Sequence, residues 1–283
     1  MTQILGILNL TPDSFSDGGR FLDPSAAIKH ALTLAASGAD VIDVGAESTH
    51  PDARGVTTDQ EIARLTPVVT ELKRCGLTIS VDTCKPQVMR EMLSLGTDFI
   101  NDVSGMSSRE SIAAVRDSNA CIIVMHAIQQ PIEPGPDAGP CIYKARAGRQ
   151  HGDPATIIER VQTFFTARVA ALCEAGVSRE RIILDPGMGL FLGENAEASL
   201  AALARLDALR FAGLPLCVSI SRKSFIGTVV GAPGAPRPVA ERAAGTLAAE
   251  LWAAASGVEY IRTHDAAALR DGLRVWGAIR RYR

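Results

Sequence analysis

Short apolar runs recur along the chain, and each of them passes directly into a polar loop. The first run, residues 4–8, leads into Asn9 and then into a stretch rich in Asp, Ser, Thr and Gly. Apolar runs of about four to eight residues bounded by turn residues are typical of buried strands. We therefore predict eight strands, over residues 4–8, 41–45, 77–82, 97–102, 120–125, 181–185, 216–220 and 258–263.

Amphipathic stretches separate these runs and predict helices. The first starts at Asp23-Pro24, with the Asp side chain as its cap, and buries Ile28, Ala31, Leu32 and Ala35. The second starts at a capping box of Thr58 and Glu61, and its internal Pro67 predicts a kink or two short helices. Further helices are predicted over 86–95 and 108–117, from Asp153-Pro154 past Leu172, over 196–211, up to Ala255 and up to about Arg280.

Eight strands alternating with eight helices favour a single (β/α)₈ TIM barrel of residues 1–283 over a doubly wound open sheet. Polar residues follow every strand, whereas an open sheet would concentrate them at one switch point. The carboxyl ends of barrel strands meet at one face, so we expect one active site there. It should contain Asn9, Glu47, Thr49, Asp82, Asn101, Met125, Asp185, Lys223, Arg262 and His264.

The composition excludes several classes of protein. The chain has 283 residues, 47% of them apolar and 21% charged, and a net charge of −2, which does not suggest a nucleic-acid partner. No apolar run is long enough to predict a signal sequence or a membrane span. The six cysteines are scattered without a Cys-x-x-Cys pair, which predicts reduced thiols and a cytoplasmic protein.

The polar strand ends suggest what the site binds. Taken singly, Asp82, Asn101 and Asp185 are equally well read as helix caps or turn formers. Together they offer donors and acceptors to a planar heterocycle with amide-like and amino edges.

A second group of side chains is cationic. Arg222, Lys223, Arg262 and His264 follow strands seven and eight, where barrels commonly bind phosphate. Asn9 offers a hard oxygen ligand that suits Mg²⁺ held partly by substrate phosphates.

The sequence contains no motif of covalent catalysis. Cys84 has no evident partner base, and the plainer interpretation of His126 is a packed or loop histidine. A nucleophile elbow, a Walker loop and zinc-ligand spacing are all absent from the sequence. The pattern favours catalysis by positioning and electrostatics beside an anionic leaving group.

Ordered motifs along the whole length resemble those of dihydropteroate synthase, the folate-pathway enzyme with a pterin-binding barrel. The motifs are Gly6-Ile-Leu-Asn-Leu-Thr-Pro-Asp-Ser-Phe-Ser-Asp-Gly-Gly19, Glu47-Ser-Thr49, Ser80-Val-Asp-Thr83, Asn101-Asp-Val-Ser-Gly105, Val124-Met-His126, Asp185-Pro-Gly187, Ser221-Arg-Lys-Ser-Phe-Ile-Gly227, Gly245-Thr-Leu-Ala248 and Arg262-Thr-His-Asp265. The resemblance implies condensation of 6-hydroxymethyl-7,8-dihydropterin diphosphate with p-aminobenzoate, which gives 7,8-dihydropteroate and pyrophosphate. It further implies a homodimer.

The resemblance also implies roles for particular residues. Asp82, Asn101, Asp185 and Lys223 would hold the pterin ring, while Asn9, Arg262 and His264 would hold the diphosphate, with Mg²⁺ at Asn9. Thr49 and Ser221 would lie on the p-aminobenzoate side, and Met125 would also contact substrate. The implied mechanism is dissociative: diphosphate leaves first, and the amine then attacks the pterin cation.

Two departures from the family pattern are visible. His50 stands where the family usually has Arg, so a permanently charged donor becomes a titratable one, unless Arg54 substitutes for it. After strand six the family's Gly-Phe-Gly-Lys is replaced by Gly189-Leu-Phe-Leu-Gly193. Both features resemble the sulfonamide-insensitive branch of these enzymes, and Phe191 either narrows the p-aminobenzoate pocket or packs in the barrel rim.

Two other functions fit parts of the sequence. A pterin-binding methyltransferase domain shares the barrel and the pterin residues, but it has no need for Arg222, Lys223, Arg262 and His264 around a diphosphate. A non-catalytic pterin-binding barrel, with turnover lost through the change at His50, is the alternative outside the enzymes.

Overall fold

A computed structural model describes residues 2–11, 23–47, 55–126, 152–210 and 213–282. Within them, strands and helices alternate along the chain. The strands are Gln3–Asn9 (β1), Val41–Gly45 (β2), Ile79–Asp82 (β3), Phe99–Asp102 (β4), Cys121–Met125 (β5), Ile182–Asp185 (β6), Cys217–Ser219 (β7) and Tyr260–Thr263 (β8). The helices are Pro24–Ala36 (α1), Thr58–Arg74 (α2), Pro86–Ser94 (α3), Arg109–Arg116 (α4), Ile157–Glu174 (α5), Ala196–Ala204 (α6), Leu206–Leu209 (α7), Ser224–Val230 (α8), Ala243–Ala255 (α9) and Ala266–Arg280 (α10).

The strands form one parallel sheet that closes into a barrel. Its order is β6-β5-β4-β3-β2-β1-β8-β7, so β1 pairs with both β2 and β8. The remaining gap between β6 and β7 is bridged by Leu184 and Leu216, and the Leu184 N–H donates to the Pro215 carbonyl at 2.9 Å. The barrel prediction is confirmed, and the doubly wound sheet is excluded because its edges would stay apart.

The barrel interior changes from apolar to polar along the strand direction. A buried cluster of Leu5, Val41, Phe99, Ile123, Ile183 and Cys217 fills the lower part. Side chains of a strand point to the same face every second residue. The next inward positions are therefore Ile7, Asp43, Asn101, Met125, Asp185 and Ser219, most of them polar. This alternation places polar groups at the carboxyl ends of the strands, above the apolar lower part of the barrel.

The start of α2 differs from the prediction by one residue. Thr57 accepts the Gln60 N–H at 3.2 Å, and the Gln60 side chain accepts the Thr57 N–H at 3.0 Å, so these residues form the capping box. The Thr58–Glu61 box was wrong because Glu61 is needed inside, where it is 1% exposed. Of the two alternatives predicted for Pro67, a kink or two short helices, the second was wrong, since α2 runs continuously through Pro67.

Other helix boundaries differ where local turns compete with the helix. The Asp153 carboxylate accepts the Ala155 N–H at 2.9 Å, and this turn delays α5 until Ile157. The helix predicted over 196–211 breaks at Arg205, whose φ of −125° separates α6 from α7. The short helix α8, which follows β7, was not predicted from the sequence.

The predicted buried face of α1 is largely confirmed. Asp23 caps the helix as predicted, by accepting the Ser25 N–H at 2.9 Å. Ala31 is buried, and Ile28 and Ala35 pack against the core, as predicted. Leu32 is the exception, because it is 41% exposed, and the helix also buries Ala27 and Leu34. Among the helices that the structure describes, none is long and apolar enough to cross a bilayer.

The buried Glu250 predicts a pH-dependent stability. It is 1% exposed on the inner side of α9, and burial raises its pKa from 4.5 to about 8. A carboxyl whose pKa is raised by folding supports the fold below its unfolded pKa, and that support is lost as the pH rises through the folded pKa. Glu250→Gln removes the ionisation, so its melting temperature relative to wild type should rise by about 5 °C between pH 5 and pH 8.

Thermal unfolding at several pH values tests this expectation. Glu241→Gln, at an exposed position just before α9, serves as the matched control and should show no such trend. A constant difference between Glu250→Gln and wild type from pH 5 to pH 8 would contradict ionisation of the buried carboxyl.

Candidate active site

The carboxyl ends of the strands line one cleft. It brings together the site residues predicted from the sequence that the structure describes, with the exception of Arg222. The lining residues are Ile7, Asn9, Thr11, Glu47, Asp82, Asn101, Val103, Met125, Asp185, Phe191, Ser219, Ser221, Lys223, Arg262 and His264. The predicted Thr49 and His50, together with Arg54, lie outside the described residues. The roles assigned to these residues stay predictions at this point.

An arginine between two carboxylates forms the floor of the cleft. The Arg262 guanidinium donates from Nη2 to Asp82 at 2.6 Å and from Nε to Asp43. Asn101 extends this group, because its side-chain amide lies 3.5 Å from the same oxygen of Asp43. Two strands besides β8 therefore hold the guanidinium directly, and a third contributes through the contact of Asn101 with Asp43.

Asp43 is a functional candidate that was not predicted from the sequence. It is fully buried in β2, and its Oδ1 has no hydrogen-bond partner among the described residues. An acid inside the otherwise apolar run 41–45 was the available signal, since an isolated charge is rarely buried without a partner. The partner is 219 positions away along the chain, which is why the pattern alone did not disclose it.

Burial changes the acidity of the neighbouring carboxyl groups. Burial raises the pKa of Asp82 to about 7, with Arg262 opposing the shift and Asp43 adding to it. Burial likewise raises the pKa of Asp185 to about 6, against the attraction of Lys223. Both groups therefore exchange protons near neutral pH, which suits recognition of a heterocycle that has N–H and carbonyl edges.

Lys223 lies at the centre of the opposite wall. Its Nζ donates to the Met188 carbonyl at 2.9 Å and lies 4.6 Å from the centre of the Phe191 ring. Burial lowers the pKa of Lys223 to about 8, although Asp185 acts in the other direction. The ammonium remains mostly protonated at neutral pH and is held by a carbonyl and an aromatic face.

His264 contacts Ser221, and the geometry assigns Ser221 to orientation of the ring. Ser221 Oγ accepts the backbone N–H of His264 at 3.2 Å and lies 2.9 Å from its Nδ1. Burial lowers the pKa of His264 to about 3, and the nearby Arg262, Arg222 and Lys223 contribute to the shift. The ring is therefore neutral in the substrate-free cleft, which differs from the cationic histidine expected from sequence.

Arg222 is exposed, in contrast to the other predicted cations. It lies outside the cleft lining, and its φ of 59° belongs to a turn in which its N–H donates to Thr246. The cations that line the cleft are therefore Lys223 and Arg262, within the described residues. The turn directs the neighbouring side chains of Arg222 and Lys223 to different places, and the sequence did not predict this turn.

Comparison with known proteins assigns this cleft to a family. Residues 5–264 match the family of pterin binding enzymes. A dihydropteroate synthase type-2 from Escherichia coli is 44% identical over 278 residues, which cover 98% of this chain and 96% of that relative. The chain belongs to the dihydropteroate synthases.

Solved structures of this family share the fold. A dihydropteroate synthase from Xanthomonas albilineans with 4-aminobenzoic acid matches with a TM-score of 0.84 and 36% identity, over 99% of this chain and 93% of that one. The Burkholderia cenocepacia enzyme complexed with 7,8-dihydropteroate also has a TM-score of 0.84, with 35% identity over 100% and 92% of the two chains. The resemblance inferred from the motifs is thus confirmed, and the chain is a transferase of this type.

Phe191 occupies the cleft wall in this dihydropteroate synthase. It is 8% exposed and packs with Val103 and Met125, while its ring also lines the cleft. The packing predicted for Phe191 is present, whereas narrowing of the p-aminobenzoate pocket stays a prediction.

Two residues outside the cleft behave as structural groups. His126 is 5% exposed, its Nδ1 lies 3.2 Å from the Pro186 carbonyl, and its ring packs against Phe164. Burial lowers its pKa to about 4. Cys84 is buried and does not line the cleft.

The chemistry of the donors permits a hard cation at Asn9. Groups of three or more His, Cys, Asp or Glu side chains able to hold a metal are absent from the described residues. A site with one protein oxygen and several water or phosphate oxygens nevertheless suits Mg²⁺, which retains much of its own hydration.

We expect the His264 ring to remain neutral across physiological pH. In ¹⁵N NMR spectra of the substrate-free protein, its ring nitrogens should keep neutral-imidazole shifts from about pH 8 to about pH 5. His264→Asn identifies the signals. Because the pKa is lowered by folding, the neutral ring supports the fold above the unfolded pKa, and this support is lost as the pH falls through about 3. An imidazolium signal at pH 6 would refute the assignment.

Proposed function

We propose that this chain joins 6-hydroxymethyl-7,8-dihydropterin diphosphate to p-aminobenzoate and releases pyrophosphate at the cleft described above. One observation carries the proposal: carboxyl and amide groups line the cleft together with Lys223, Arg262 and His264. The first set suits a pterin ring, and the second suits a diphosphate leaving group. The family named for this reaction supports the assignment.

The pterin ring is assigned to Asp82, Asn101, Asp185 and Lys223. Carboxylates accept hydrogen bonds from the amino and ring N–H groups of the pterin, and the amide and ammonium can donate to its ring nitrogen and carbonyl. Asp185 is held for this role by the Gly187 N–H, which donates to its Oδ1 at 2.7 Å. Its second oxygen can then face the substrate.

The diphosphate is assigned to Asn9, Arg262 and His264. A guanidinium has five N–H donors, more than Asp43 and Asp82 use, so it can bind a phosphate oxygen without releasing both carboxylates. A neutral His264 can donate one ring N–H to a phosphate. Asn9 would supply the protein oxygen for Mg²⁺, which when bound offsets the negative charge of the leaving group.

The p-aminobenzoate side is assigned to Thr49, Phe191 and Ser221, and His50 and Met125 are assigned as further substrate contacts. In the proposed mechanism the bond between the pterin methylene carbon and the diphosphate oxygen breaks first, and both electrons leave with the diphosphate. The amine nitrogen then bonds to the methylene carbon and loses one proton. This chain's catalytic group, Asn9, Asp82, Lys223, Arg262 and His264, would orient the pterin and stabilise the departing charge.

Pyrophosphate release by the purified protein tests this function. With pterin diphosphate and Mg²⁺, we expect dihydropteroate only when p-aminobenzoate is present. Binding of the pterin diphosphate without pyrophosphate release would favour a non-catalytic pterin-binding barrel. Methyl transfer to a corrinoid protein would favour the methyltransferase alternative.

Mg²⁺ should strengthen binding of the diphosphate through Asn9. We expect chelation of Mg²⁺ to weaken pterin diphosphate binding about tenfold in wild type, measured by calorimetry. Asn9→Ala should reduce this dependence to about twofold. The pterin alcohol, which has no diphosphate, serves as the control and should bind equally well with and without Mg²⁺. The same tenfold dependence in Asn9→Ala would remove Asn9 from the proposed ion site.

We propose that Phe191 makes the enzyme insensitive to sulfonamides by narrowing the cleft beyond the position of the amine. Phe191→Ala should lower the sulfamethoxazole inhibition constant about a hundredfold, which corresponds to about 3 kcal/mol, and leave the KM for p-aminobenzoate within about threefold. Leu190→Ala, in the same turn but outside the cleft lining, is the control. Unchanged inhibition of Phe191→Ala would leave the ring with a packing role only.

We propose that the enzyme is a cytoplasmic homodimer that associates through barrel helices. Exposed apolar side chains on α9 and α10 support this association: Trp252 is 56% exposed, Val275 61% and Ile279 56%. Sedimentation velocity should show a dimer for wild type and a monomer for Val275→Glu with Ile279→Glu. The control Leu32→Glu, on α1, should remain dimeric. The reduced thiols of Cys75, Cys121, Cys173 and Cys217 support the cytoplasmic location.

A further inference from the structure

A buried lysine lies behind the cleft wall, and the proposed reaction gives it no role. Lys85 is 2% exposed, and its Nζ lies 2.5 Å from Glu47 Oε2 and 2.5 Å from Glu61 Oε2. Of the three side chains, only Glu47 lines the cleft. The ammonium therefore connects a cleft residue to a carboxylate buried in α2.

The local sequence does not explain a lysine at this position. Lys85 is the N-cap residue of α3 and makes no side-chain capping bond. Helix N-termini favour Ser, Thr, Asp or Asn as caps and disfavour nearby positive charge. The side chain is instead directed to the two carboxylates, so its position serves a tertiary contact.

Glu47 has both carboxylate oxygens engaged. Oε2 binds Lys85, and Oε1 accepts the Val56 N–H at 3.0 Å. The preceding carbonyl, of Ala46, accepts from Arg64 of α2 at 3.1 Å. Glu47 therefore connects the Lys85 ammonium to the backbone of Val56, just before α2.

The charges explain why a lysine is needed here. Burial opposes the charged ammonium, but the two carboxylates outweigh it and raise the pKa of Lys85. Burial raises the pKa of Glu61, against the attraction of Lys85. Without the ammonium, Glu47 would add an uncompensated negative charge to a cleft that already contains Asp82 and Asp185 and that must accept an anion.

We propose that Lys85 is a positioning residue that acts through Glu47. It holds Glu47 in the cleft wall and, through Glu47, the backbone of Val56, thereby setting the affinity for p-aminobenzoate at that cleft without touching substrate. This inference rests on the proposed function for its kinetic consequence, whereas the contact between Glu47 and Val56 can be measured independently.

A double-mutant cycle tests the proposal with Glu61→Gln as the common background. Removing one partner of a buried ion pair leaves an uncompensated charge, which strongly destabilises the fold. The background substitution limits this cost, because Glu47 is the only carboxylate of the cluster that remains. Lys85→Met then removes the charge with an unbranched side chain of similar length, alone and together with Glu47→Gln.

The expected result is a change in affinity with little change in turnover. Relative to the background, Lys85→Met should raise the KM for p-aminobenzoate about tenfold and lower kcat less than about threefold. When Glu47 is already Gln, the same change should add less than about twofold. Lys73→Met is the control: it removes the ion pair with Asp98 at 2.7 Å, which also joins α2 to the sheet but at the opposite end of the strands. Its KM should not change.

Amide hydrogen exchange supplies a readout that does not depend on turnover. Loss of Lys85 should accelerate exchange of the Val56 amide about tenfold in the Glu61→Gln background, and Lys73→Met should not. If wild type releases no pyrophosphate, the proposed function fails, and Val56 exchange still decides whether Lys85 holds Glu47. Unchanged Val56 exchange in folded Lys85→Met protein would overturn the proposal. An equal rise in KM with Gln at position 47 would also overturn it.

Discussion

The structure of the cleft depends on the ion pairs of Arg262 with Asp43 and Asp82. These groups come from three strands and meet above the apolar base of the barrel. Removal of one partner from such a buried arrangement leaves the other charge unpaired, which commonly lowers the free energy of unfolding by about 3–5 kcal/mol. The arrangement therefore persists only because the barrel brings all three groups together, and it fixes the guanidinium before any substrate arrives.

The same principle extends around the rim of the cleft. Lys223 is held by the Met188 carbonyl and the Phe191 ring, His264 by Ser221, and Glu47 by Lys85. Each of these three side chains of the cleft has a neighbour that restricts its rotamer, so little of its conformational entropy remains to be lost on binding. A site without a nucleophile relies on such preorganisation, because its contribution to the rate comes from orientation and from charges placed in advance.

Burial also explains the unusual acidities of the cleft. The raised pKa of Asp185 and the lowered pKa of Lys223 both arise from burial. The opposite charges of the two side chains limit the shifts. The stable apolar layer below the cleft permits this concentration of polar groups, since the lower barrel supplies burial without further charges.

The sequence by itself determined the eight strands, most of the helices and the end of the barrel at which the site lies. Apolar runs and caps are short-range signals, so all eight strands and the Asp23 cap were predictable, and residues after the strands had to meet at one face. The ordered motifs also indicated the family to which the chain belongs.

Only the tertiary structure decided which polar groups pair. Asp43 and Arg262 are 219 positions apart, and Lys85 and Glu61 are 24 apart on different elements, so no local pattern encodes either contact. The exposure of Arg222, the one-residue shift of the α2 cap and the placement of Phe191 in the cleft wall were likewise settled by packing. Buried polar groups pair with groups that lie close to them in space, whereas a sequence pattern contains only distances along the chain.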